Sequence, residues 1–147
     1  MLRTLHLLAA FLTVTFGCTC LPHSPDGKQE FCNADVVGVF KILKKFQKPN
    51  SFRINYYVSA SQIFKTNAGN NAIQLIETAS QSAACGLTWL QEGQEYLLNG
   101  SYDPARNIVR ISICGQIAPT QWSNVPADIK NALENGGYEP CPAQKLN

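Results

Sequence analysis

Six cysteines, at positions 18, 20, 32, 85, 114 and 141, constrain this chain more than any other feature. Three lie within fifteen residues near the start, and three are spread toward the far end. An even count in an oxidising compartment implies three disulfides. The simplest network therefore ties an N-terminal segment to distant parts of one fold. Spacing alone does not choose among the fifteen pairings that six cysteines allow. Each loop would be long, so each bridge would contribute roughly 4 kcal/mol in the chain-entropy picture.

The compartment is read from the N-terminus. Arg3 forms a short basic region, residues 5–16 are mostly apolar, and Thr15 and Gly17 are small residues before Cys18. That order is a secretory signal, predicted to occupy residues 1–17 and to leave Cys18 first in the mature chain. The apolar run is short for a bilayer span, and no later stretch approaches ~20 apolar residues, so no membrane span is expected. A lipid-anchored lipoprotein is disfavoured, because Thr15 stands where that signal prefers leucine. The remaining length suits one domain with a real core, and residues 142–147 read as a short tail.

Arg3 is the only formal charge in the signal, so the net charge falls from +2 to about +1. That balance predicts no general affinity for nucleic acid. Lys41, Lys44, Lys45, Lys48 and Arg53 do cluster in sequence. A solvated strand end and loop explains them most simply; a patch for acidic glycans or a protein partner is the alternative.

Apolar runs and turn residues predict strands over 36–42, 52–64, 73–78, 96–98 and 108–113, with Ile73, Leu75 and Glu77 on one face of the third. Asp26 is expected to cap a short helix through Cys32, with Gln29 completing a capping box. A second helix starts at Pro126 and ends near Gly136 or Gly137, with Ile129 and Leu133 on one face. Asn99-Gly100 reads as a turn. Asn99-Gly100-Ser101 is also a sequon, which makes Asn99 a candidate for N-glycosylation. Five antiparallel strands with flanking short helices fit a mainly β, Greek-key barrel of the oligonucleotide/oligosaccharide-binding type, with a two-sheet sandwich as the alternative.

Catalytic chemistry finds little support. Once His6 leaves with the signal, His23 is the only histidine, and it sits in an exposed Pro-rich stretch. A catalytic zinc needs about three protein ligands, and the paired cysteines are not free to supply them. The same shortage disfavours Ser-His-Asp and Cys-His nucleophiles. The acidic residues show no local acid/base couple. No cofactor of its own is expected. The first mature residue is different. Cleavage would give Cys18 a free α-amine with a reference pKa near 8. That amine and the Cys18 carbonyl oxygen could close a five-membered chelate ring on a metal, filling the open position that a catalytic zinc keeps.

Cys18-Thr19-Cys20 after the signal, with Phe31-Cys32-Asn33-Ala34-Asp35, resembles the tissue inhibitors of metalloproteinases. The resemblance continues through Cys85-Gly86, 96–100, Cys114, Trp122-Ser123 and Cys141. It implies a netrin-like barrel over residues 18–141. It implies the pairing Cys18–Cys85, Cys20–Cys114 and Cys32–Cys141. It further implies a secreted, non-enzymatic monomer that forms a 1:1 complex with a zinc metalloproteinase. Cys18 would bind the protease's zinc, and Thr19 would enter the neighbouring specificity pocket. Cys20, Leu21 and Pro22 would line the cleft, with Ser82, Ala83 and Ala84 completing the wedge. Where the family often has an arginine after the third cysteine, this chain has Val36-Val37-Gly38-Val39-Phe40-Lys41. The Cys20-to-Cys32 interval is also slightly longer than usual. The second, six-cysteine domain of vertebrate members is expected to be absent, because the sequence stops six residues after Cys141. A netrin-like extracellular binding module without inhibitory activity is the alternative reading.

Overall fold

The computed structural model describes residues 17–69 and 71–143. The predicted signal, apart from Gly17, and the tail beyond Ala143 lie outside the described residues. Five strands, β1 (Val36–Phe46), β2 (Arg53–Thr66), β3 (Leu75–Ala79), β4 (Glu95–Asp103) and β5 (Ile108–Arg110), close into a barrel in the order β1-β2-β3-β5-β4. Two short helices, α1 (Lys28–Asn33) and α2 (Ala127–Glu134), flank it. Closure excludes the two-sheet alternative. One correction concerns strand direction: β3 pairs with β5 in parallel, and the other four pairings are antiparallel.

The core lies in two layers. Val36, Phe40, Ile42, Ile54, Tyr56, Val58, Ile76, Leu98 and Val109 fill the barrel. Val37 and Leu97 turn outward, beneath Phe31, Ile117, Val125, Ile129, Leu133 and Tyr138. The first part of β1 is therefore buried on both faces, which explains why Val36–Phe40 shows no polar alternation. Ile129 and Leu133 share the buried face of α2. Tyr56 donates to the Leu87 carbonyl at 2.8 Å inside the barrel, and burial pushes its phenol up to about 12.

Several local expectations change. Asn99-Gly100 is not a turn; both residues lie in mid-β4. Gly100 is required there because a Cβ would overlap the Arg110 carbonyl of the neighbouring strand. Asn99 is 4% exposed, and both the oxygen and the nitrogen of its amide are hydrogen-bonded. Its Nδ2 donates to the Gly115 carbonyl at 2.6 Å, and its Oδ1 accepts from the Ile117 amide at 2.9 Å. Ile73 and Ile76 enter the core while Leu75 and Glu77 pair outside, so the single face read for 73–77 breaks before β3 begins. β5 stops at Arg110 because the chain beyond it leaves the sheet toward Cys85: the Ile113 amide donates to the Cys85 carbonyl at 2.8 Å. The α1 cap also differs from the box expected. Asp26 accepts from the Lys28 amide at 3.1 Å, which holds its carboxyl below the usual range. The reciprocal partner is Glu30 acting on Ser24 rather than Gln29.

Asn99→Ala is expected to remove both side-chain bonds and leave the buried Ile117 amide unpaired, lowering stability by about 1–3 kcal/mol. Urea unfolding followed by tryptophan fluorescence checks this; a loss below ~0.5 kcal/mol would contradict the anchoring role.

Candidate functional site

The N-terminal segment crosses one end of the barrel as a strap fixed at both ends. Bridges join Cys18 to Cys85 and Cys20 to Cys114, with Cα separations of 5.0 and 5.2 Å. Cys32 is joined to Cys141, which ties α1 to the C-terminal end of the described chain. The first two bridges touch: Cys18 Sγ lies 3.6 Å from Cys114 Sγ, and Cys114 Sγ lies 3.6 Å from Cys85 Sγ. Four sulfurs thus form one cluster, but all four are paired, so none is available as a thiolate to hold a metal.

Backbone geometry fixes the receiving side. The turn Ser82–Ala84 closes through the Cys85 amide on the Ser82 carbonyl at 3.0 Å, and Cys85 itself sits at φ 61°. Gly86 follows because a Cβ there would overlap the Ala79 carbonyl. Cys114 is placed by Ser112 Oγ, which accepts from its amide at 3.2 Å. Gln116 then locks the same loop to β4, donating to the Asn99 carbonyl at 2.7 Å and to the Ser112 carbonyl at 2.9 Å.

The other end of the strap is held by a buried carboxylate. Glu30, 6% exposed, accepts from the Ser24 amide at 3.1 Å and from Ser24 Oγ at 2.7 Å. Ser24 Oγ in turn accepts from the Gln29 amide at 3.3 Å. Between the anchors, Thr19, Cys20, Leu21, Pro22 and His23 are exposed, and Leu21 reaches 88%.

Cys18 is half-buried, and its bridge sets Ser82, Ala83 and Ala84, all exposed, next to the start of the strap. The structure therefore brings the two predicted segments together on one side of the barrel. Asn99 is a buried anchor below the strap's groove. The lysine cluster lies on the β1–β2 hairpin, where Lys45 donates to the Thr88 carbonyl and the other lysines are exposed. Sequence reading missed the Ser24–Glu30 clamp and the Asn99–Gln116 lock. Neither has a sequence signature beyond polar residues flanking apolar ones; both depend on contacts made only in three dimensions.

A closed five-stranded barrel with a disulfide-fixed, solvent-facing N-terminal strap defines a small disulfide-stapled β domain. The family described as "Tissue inhibitor of metalloproteinase" matches residues 17–144, and the chain belongs to it. Human "Metalloproteinase inhibitor 2" is 32% identical, over 92% of this chain and 62% of its own length. The rat protein of the same name gives the same three values. The rabbit protein is 32% identical over 84% of this chain and 65% of its own length. The chain thus spans 62–65% of the length of these curated relatives. These relatives are named as inhibitors of metalloproteinases, not as enzymes.

Glu30→Ala is expected to free the far end of the strap. Urea unfolding should show a loss of about 1–3 kcal/mol, and hydrogen exchange should show a faster Ser24 amide. An unchanged Ser24 exchange rate would remove the clamp from the account.

Proposed function

We propose that this chain is a secreted inhibitor of zinc metalloproteinases of the matrix type, and that the strap is the inhibitory element. The observation that carries the reading is the covalent fixing of Cys18 beside the Ser82–Ala84 turn, with the strap exposed between its two anchors. Family membership supports it from a second direction.

The proposed mechanism assigns Cys18 different atoms for different tasks. Its sulfur is committed to Cys85. Signal cleavage in front of Cys18 frees its α-amine, a fraction of which is neutral near physiological pH. The neutral amine and the carbonyl oxygen would be the two ligands offered to the partner's zinc, in place of the water the protease holds there. The zinc is the protease's own; the inhibitor supplies ligands and no cofactor. Thr19 follows into the adjoining pocket, and Cys20, Leu21 and Pro22 run along the cleft in the manner of a substrate. Ser82, Ala83 and Ala84 add the second edge of the wedge. The complex is a 1:1 pairing of monomers. Because both ends of the strap are anchored before binding, little backbone freedom remains to be lost on association.

One added residue tests the chelate. Alanine placed before Cys18 converts the amine into an amide, and inhibition of a matrix metalloproteinase panel is expected to fall by at least about 100-fold, ~2.7 kcal/mol. Equal inhibition by the extended protein would refute the chelate. Thr19→Gly is expected to weaken inhibition less, and unequally across the panel, because it alters one pocket contact. If verified Cys18-first protein leaves the whole panel active at micromolar concentration, the non-inhibitory binding module becomes the correct reading.

A further inference from the structure

The two bridges that fix the strap meet sulfur to sulfur, and the spacing between them is that of a metal site. Cys18 Sγ lies 3.9 Å from Cys20 Sγ and 3.6 Å from Cys114 Sγ, and Cys114 Sγ lies 3.6 Å from Cys85 Sγ. Each of these pairs joins sulfurs from different bridges. All four sulfurs lie within 4.8 Å of one another. Four thiolates each ~2.3 Å from one zinc ion stand ~3.8 Å apart along the edges of a tetrahedron. Three cross-bridge distances already match that edge.

Two of the four cysteines are placed without help from the bridges. The Cys85 carbonyl accepts from the Ile113 amide at 2.8 Å and from Ser112 Oγ at 3.3 Å, and the Cys114 amide donates to the same Ser112 Oγ at 3.2 Å. One hydroxyl thus ties the two cysteine backbones together. None of these bonds involves sulfur, so the barrel keeps Cys85 and Cys114 side by side when the bridges open. The strap supplies the other two. Cys18 and Cys20 are two residues apart, so their side chains leave an extended backbone on the same side. The Ser24–Glu30 clamp holds the chain four residues beyond Cys20, a stretch that spans at most about 14 Å. Opened strap thiols therefore stay beside the barrel pair at high effective concentration.

We propose that reduction of these two bridges converts the cluster into a zinc site held by the thiolates of Cys18, Cys20, Cys85 and Cys114. Two equivalents of a dithiol give the two bridges four electrons and four protons and leave as disulfides; the chain gains four thiols. Cys20 is exposed, which opens the Cys20–Cys114 bridge to attack. Zn²⁺ then displaces the four thiol protons and binds the four thiolates, with its own oxidation state unchanged. An all-sulfur tetrahedral set selects zinc over the oxygen-seeking calcium and magnesium ions. The ion takes over from the bridges the task of tethering the strap to the barrel.

This site is separate from the proposed inhibitory contact. There, the Cys18 amine and carbonyl meet a zinc ion that belongs to the protease; here, sulfur atoms hold an ion of the chain's own. The oxidised chain has no free thiol to offer, so zinc capture is gated by reduction. Cys32 and Cys141 lie outside the cluster and take no part.

The test starts from the mature chain, reduced without air by a phosphine, which leaves as its oxide with oxygen drawn from water. Zn²⁺ is titrated against a chromophoric chelator, and Co²⁺ serves as the spectroscopic stand-in. One zinc per reduced chain is expected, with the intense visible bands of tetrahedral cobalt thiolate. Alkylation of the zinc-loaded chain, mapped by mass spectrometry, is expected to spare Cys18, Cys20, Cys85 and Cys114 and to label Cys32 and Cys141. Cys20→Ser removes one ligand and is expected to weaken zinc binding by about ten-fold or more. The alanine-extended chain, whose Cys18 amine is blocked, is expected to bind zinc within about two-fold of the unextended chain, because only thiolates are ligands. The site is overturned if the reduced chain binds no zinc, or if the oxidised chain binds it equally well. Equal protection of all six cysteines would overturn it too, since zinc would then be held by unfolded thiols. A loss of about ten-fold or more in the alanine-extended chain would overturn the four-thiolate assignment.

Discussion

The structure depends on two disulfides that meet at one end of the barrel. Cys18–Cys85 and Cys20–Cys114 close loops of 67 and 94 residues, and each removes about 4–5 kcal/mol of chain entropy from the unfolded state in the loop-closure picture. The loops overlap, so the two contributions are not independent. Their positions matter as much as their energy. They join the first described residues to the turn after β3 and to the loop after β5, two of the places where the chain leaves the sheet. No hydrogen-bonded strand pairing reaches the segment 18–23, so without the bridges it would be an unpaired terminus of the kind that frays.

Cross-links fix a segment only if their far ends are themselves fixed, and the barrel supplies that. Cys85 is held by the turn behind it and by Gly86, whose missing side chain lets it lie against Ala79. Cys114 is held by the exchange among Asn99, Gln116 and Ser112, which ties residues 112–117 to the middle of β4. Gly100 continues the same logic, because its lack of a side chain lets β4 approach β5 closely. A dipeptide with strong turn chemistry is thus used inside a strand. Each residue answers a packing demand there: one a loop to be pinned, the other a backbone to be approached.

That substitution of tertiary demand for local preference marks where sequence reading succeeds and where it fails. Strands whose apolar residues face the barrel were legible from their runs and alternation, as in β1, β2 and β5. So was the helix carrying Ile129 and Leu133. Asn99-Gly100 misled because turn propensity is local, while the partners of Asn99 lie 16 to 18 residues away. The parallel β3–β5 closure was illegible because alternation reports which face a side chain takes, not the direction of the neighbouring strand. At the site, the cysteines marked the anchored residues. The clamp on Ser24 had no comparable mark, since Glu30 looks like any first-turn acid until its burial is seen.

On the proposed inhibitory role, one covalent constraint at the exposed strap serves folding and recognition together. Leu21 is 88% exposed on a segment held at both ends. Leaving one leucine in water costs the free chain about 1.5–3 kcal/mol relative to burial, a sum recovered when a partner covers it. In a flexible terminus much of that gain would be offset by ordering the backbone, at roughly 1–2 kcal/mol per residue. For the five residues from Thr19 to His23 the offset would exceed what Leu21 returns. Anchoring at Cys18, Cys20 and Ser24 moves that ordering into the folding reaction, where the barrel core and the bridges outweigh it. A short strap can then contribute to association with few contacts. In the proposed inhibitory mode, the Ser24–Glu30 clamp supports the recognition surface as much as the side chains that face outward.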